Sequence, residues 1–106
     1  MFKITLDPTY TIPVEIDLPG QNPRPSFDAN FRRLSKPEYR ALMDSGKSPS
    51  EIAGEVLVGW KGVVDGEGRE IPFSKDALES LLDILPVADS IFLAFIASVN
   101  LALKKT

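Results

Sequence analysis

Two carboxylate pairs, Glu70 with Asp76 and Glu79 with Asp83, are the side chains whose types and spacing could support acid–base work. That chemistry needs one carboxyl kept protonated by an apolar setting while the other stays ionised. Neither pair sits in a stretch that suggests a cleft, and such pairs are common on solvated helix faces. The chain has no histidine and no cysteine, which removes the commonest general base, thiolate chemistry and disulfides. The expectation is a protein that is not an enzyme, with no catalytic residue and no cofactor.

Asp65, Glu67 and Glu70 invite a calcium reading. A calcium loop of the EF-hand kind needs oxygen ligands at alternate positions, then a glycine, then a distant glutamate. Here Gly66 and Gly68 come too early, so a solvated acidic turn is expected and no metal site. Ser50-Glu51-Ile52-Ala53 could open a helix-turn-helix, but the segment that should be the recognition helix is the glycine-rich, acidic run Gly59 to Gly68. The formal net charge is −3, with the second half of the chain the acidic one. No nucleic acid partner is expected, because phosphate binding needs clustered cations. The local basic cluster Arg24, Arg32, Arg33, Lys36 and Arg40 reads first as a solvated or internally paired surface. An acidic partner is the alternative, with the Arg32/Arg33 edge as the patch that would meet it.

The elements that must position these groups follow from periodicity. The 106 residues make one domain by size, strand-rich over 1–34 and helical over 35–106. Phe2, Ile4 and Leu6 alternate with polar residues, which predicts a first strand. Ile12, Val14, Ile16 and Leu18 predict a second, near an edge because Pro13 cannot donate to a ladder. A turn through Pro8 to Thr11 would join the two. Ser26 to Leu34 predicts a third strand after the proline-rich loop Pro19 to Pro25. Ser35 with Glu38, and Ser48 with Glu51, have capping-box spacing and predict two helix starts. The first helix ends at Gly46. The second should run to about Trp60, because Ile52, Val56 and Trp60 follow at helical spacing. Asp65 to Gly68 predicts a loop with at most a short bridge. Ser74 caps a third helix over Lys75 to Leu85, and Val87 to Lys105 predicts a fourth. The fold class expected is α+β: a small N-terminal antiparallel sheet of about three strands, then about four helices.

The fourth helix is apolar around most of its circumference. Ile91, Phe95 and Val99, with Phe92 and Leu103, share one face, and Leu93, Ile96, Ala97 and Leu101 widen it. Such a helix is central in a core, in a membrane or in a protein interface. Asp89, Asn100 and the short run disfavour a membrane. Core and interface stay open. Ile91, Phe92, Phe95, Ile96 and Val99 are the expected partner-binding residues, with Arg32 and Arg33. An interface helix would let Phe95→Asp dissolve oligomers while the monomer stays folded.

Trp60, Gly62, Asp65 and Gly68, followed by Pro72-Phe73-Ser74 and a leucine-rich helix, resemble the phage tail assembly chaperones. Phe27, Phe31, Arg32, Arg33, Leu34, Ser35 and Glu38 fit the family's front part loosely. The resemblance covers roughly residues 25–85 and gives the motif residues turn and packing roles. It implies a protein that coats the tape measure protein, self-associates, and recruits tail tube protein. A small phage module that remains in the virion is the alternative. The start, MFKITLDPTY, lacks the apolar run of a signal peptide, so the host cytoplasm is the expected location, outside the mature particle.

Overall fold

The computed structural model describes residues 2–100. Three strands and four helices follow in the order β1 (Thr9–Glu15), β2 (Ser26–Arg32), α1 (Lys36–Met43), α2 (Pro49–Val56), β3 (Leu57–Lys61), α3 (Lys75–Leu82) and α4 (Val87–Val99). The fold is α+β, with one antiparallel sheet ordered β1-β2-β3 and α2 and α4 packed against it.

The sheet forms because its central strand alternates cleanly. Phe27, Ala29 and Phe31 of β2 are buried, while Ser26, Asp28 and Arg32 face solvent. β1 pairs with β2 in the register Ile12 to Ala29, Pro13 to Asp28 and Val14 to Phe27. That sets Val14 and Ile12 beside the aromatic rings of β2. Pro13 lies on the edge strand, where its missing N–H does no harm to the sheet. β3 closes the other side, with Trp60 opposite Ala29, Leu57 opposite Phe31, and a register shift between Asn30 and Phe31.

Two segments depart from the sequence expectation. Residues 2–6 form no strand, and Phe2 and Ile4 stand exposed. Their alternation is real but has no partner. Arg33 N–H donates to the Pro8 carbonyl at 2.8 Å, and the chain beyond it turns into α1. β2 thus offers residues 2–6 nothing to pair with, and pairing begins at the place expected to be the turn. The second departure is α2, which stops at Val56 instead of continuing to Trp60. Leu57 already has extended φ and ψ of −84° and 112°. β-branched Val58 and aromatic Trp60 suit a pleated surface, and Gly59 weakens a helix, so pairing with β2 overrides the helical spacing. The third strand of the sheet therefore comes from after α2. Residues 2–6, expected to supply one, supply none.

The helices begin where the serine chemistry places them. Ser35 and Ser48 each accept from the N–H three residues on, and Glu38 and Glu51 accept in return from the serine N–H groups. Ser74 caps α3 through the Ala77 N–H at 3.1 Å. α3 ends at Leu82, three residues sooner than expected, and α4 is described to Val99. The expected continuation to Lys105 lies outside the described residues.

The hydrogen bonds from the Ser35 and Ser48 backbones hold the Glu38 and Glu51 carboxyls below the ordinary glutamate range. A depressed carboxylate adds stability above its unfolded pKa, and that stability fades as pH falls through the folded one. The melting temperature is therefore expected to drop in acid, beginning below the ordinary glutamate pKa. Ser48→Ala removes the side-chain cap and will cost about 1 kcal/mol, whereas Glu51→Gln removes the titrating carboxylate and blunts that drop, both readable from thermal melts across pH.

One face of the sheet carries the core. α2 packs on α4, and α4 crosses β1. Ile52, Ala53 and Val56 of α2 and Val87, Ile91 and Phe95 of α4 are buried against the sheet. Ala53 is fully buried, and its small side chain allows the close approach of α4. Tyr10 Oη and Ser98 Oγ lie 2.8 Å apart, which ties the end of α4 to β1. The other face of the sheet, with Thr9, Thr11, Asp28, Asn30 and Lys61, is polar and open.

Candidate interaction surface

α4 divides the expected partner-binding residues between two environments. Ile91 and Phe95 are fully buried. Phe95 packs on Phe31 at 5.4 Å and on Tyr39 at 6.4 Å between ring centroids. In this folded chain neither residue is available to a partner, which corrects their expected role. Phe92 and Ile96 are half-buried against the same core. Val99 is 40% exposed. The face of α4 that does reach solvent is marked by Leu93, 63% exposed. It lies opposite Ile91 and Phe95, because two residues advance an α-helix by more than half a turn.

The basic edge is also divided. Arg33 is engaged internally: its Nε–H donates to the Asp7 carbonyl at 2.9 Å, and its guanidinium lies 4.9 Å from the Tyr10 ring centroid. It holds the start of the chain against β1. Arg32 is exposed and makes no ion pair among the described residues.

The motif residues hold the connection between the sheet and α3. Trp60 Nε1–H donates to the Ile71 carbonyl at 2.8 Å. Its ring meets Phe73 edge-on at 4.8 Å and Phe27 at 6.3 Å. Asp65 Oδ1 accepts from the Glu67 and Arg69 N–H groups, and Val64 bridges to Glu70. Gly62 and Gly68 have φ of +87° and +82°, in the left-handed region where a side chain would be strained. Pro72 leads into Phe73 and the Ser74 cap. These positions turn and pack the chain.

Two surface features were not anticipated. The first is a cleft of about 450 Å³ between α1 and the C-terminal end of α4, lined by Leu34, Tyr39, Met43 and Val99, with Lys36 and Arg40 among its polar residues. It exists because α1 is amphipathic yet buries no residue: its apolar side chains only lean on the body. The signal for it in the sequence is the short apolar stripe Tyr39, Leu42 and Met43 of α1. The second is the corner between α3 and α4, where Leu85 is 87% exposed and Ile84 stands beside it. There the expected helix to Leu85 would have turned Leu85 inward. Among the described residues no group of three carboxylates is placed to hold a metal ion, and no single helix is long and apolar enough to cross a membrane.

Residues 34–100, from just after β2 to the end of α4, match the family described as YdaY prophage protein. The chain belongs to the YdaY prophage protein family. No curated protein and no solved structure matches it. In this YdaY-family chain the matched span holds both unanticipated features, the cleft and the α3–α4 corner, together with the whole Trp60 to Ser74 connection. Its membership agrees with the phage origin that the motif implied.

Proposed function

We propose that the protein is a non-enzymatic tail assembly chaperone. In the host cytoplasm it holds the tape measure protein, self-associates along it and helps recruit tail tube subunits. The observation that carries this reading is apolar surface left open on a small acidic chain of prophage origin, above all Leu93 on α4. A long apolar client presents many equivalent segments. Shallow sites repeated along it give avidity without high affinity at any one of them. Laying client helices against an open apolar helix face needs no catalytic group.

The test is co-expression with the tape measure protein of the same prophage. That client alone is expected in the pellet, and with this protein it becomes soluble and copurifies. Leu93→Glu is expected to reduce the copurified client at least about tenfold, since a charge on a desolvated contact is strongly unfavourable, while the thermal melt stays unchanged. A client that is equally soluble without the protein removes the reading. Mass spectrometry of purified virions separates the alternative: a chaperone is absent from the particle, whereas a structural module remains in it.

A further inference from the structure

Three cations of this chain are matched by carboxylates: Arg24 by Glu15 and Asp17, Lys47 by Glu55, and Arg69 by Asp65 and Glu67. Arg32, Lys36 and Arg40, at and beside the α1–α4 cleft, make no ion pair among the described residues. The same holds for Asp76 and Glu79 of α3, for Asp83 at its C-cap and for Asp89 at the start of α4. Asp76, Glu79 and Asp83 are exposed at i, i+3 and i+7, so they form one stripe on the outer side of α3. That stripe runs directly into Ile84 and Leu85, the most protruding apolar pair of the helical part. The molecule thus carries an apolar hollow with cations at its rim and an apolar knob with carboxylates beside it.

The two lie at opposite ends of α4. Leu85 precedes Val87, and the cleft is closed by Val99 and Asn100. Twelve residue steps of helix separate these ends by about 18 Å. A knob cannot enter its own hollow across that distance, but it can enter the hollow of another copy.

We infer that the α3–α4 corner of one copy docks into the α1–α4 cleft of the next, Leu85 filling the hollow and Asp76, Glu79 and Asp83 facing Lys36 and Arg40. The contact is heterologous: each copy uses one surface to give and a different one to receive. Repeated in one direction it builds a ring or an open helical array. The inference deepens the assembly reading and rests on it for its purpose. The array is measurable with no client present, so the two can fail separately.

The experiment is a charge exchange read by sedimentation velocity over a concentration series at low and moderate salt. Wild type is expected to form concentration-dependent species larger than a dimer, weaker at higher salt. Lys36→Glu with Arg40→Glu makes both surfaces acidic, and Glu79→Lys with Asp83→Lys makes both basic. Each double variant is expected to associate at least roughly a hundredfold more weakly. An equal mixture of the two restores assembly, because every contact again joins opposite charges. Leu85→Ser weakens assembly without changing charge. All these side chains are exposed, and unchanged near-ultraviolet circular dichroism confirms the fold. The inference is overturned if wild type stays monomeric, if a two-fold dimer forms that both variants retain, or if assembly appears only after residues 101–106 are removed.

Discussion

Phe95→Asp will leave no folded monomer, and Phe95→Ala will destabilise the fold by about 3–5 kcal/mol. Phe95 is fully buried among Phe31, Tyr39 and the buried side chains of α2. An aspartate there would be an unpaired charge with no hydrogen-bond donor prepared for it, and its burial cost exceeds what a marginally stable small domain holds in reserve. Leu93→Asp is the control, two residues away on the exposed face, and is expected within about 0.5 kcal/mol of wild type. Urea unfolding followed by circular dichroism checks all three. A cooperative transition retained by Phe95→Asp would show that α4 does not close the core. The contrast also separates the two roles that sequence reasoning had left open for this helix. One stripe is core and the other is surface, so a single substitution cannot report on both.

The sequence carried the pattern of local chemistry well. Both capping boxes, the Ser74 cap and the alternation of β2 are visible because each depends on residues within one turn or one pleat. The larger departures concern what a segment meets far along the chain. Phe2, Ile4 and Leu6 alternate as a strand does, yet pairing requires a free edge, and β2 leaves the sheet for α1 before reaching them. Trp60 satisfies a helical stripe and a strand face equally, and only Ala29 across the sheet decides between them. The surface was harder still. That α4 is too apolar for a solvated helix was legible, but which of its residues face solvent depends on where α2 and β1 press against it. The cleft beside Tyr39 arises from a gap between two elements distant in sequence. No periodicity encodes a gap.

Trp60→Ala will destabilise the protein by about 3 kcal/mol, and its effect will appear first in the connection from Gly62 to Ser74. Trp60 is the point at which that connection is fastened to the sheet. Its indole N–H holds the Ile71 carbonyl, and its ring supports Phe73 one residue before the α3 cap. Within the connection, Ile71 N–H bonds the Val63 carbonyl and Asp65 N–H bonds the Arg69 carbonyl, both at 2.8 Å. In the alanine variant these two amides are expected to exchange with solvent well before the amides of β2, since the segment can open while the sheet persists. Trp60→Phe keeps most of the ring contact and loses the hydrogen bond, so it should cost about 1 kcal/mol and speed exchange at the same two sites to a smaller degree. Hydrogen exchange measured residue by residue distinguishes local opening from uniform loss of stability. Equal acceleration across β2 and the connection would mean that Trp60 supports the sheet alone. Local acceleration instead makes Trp60 the residue that sets where α3 begins. The acidic stripe and Leu85 lie along and just beyond that helix. A side chain with no contact to a partner would then govern how the α3–α4 corner is presented, and Trp60→Phe should weaken assembly more than its small stability cost explains.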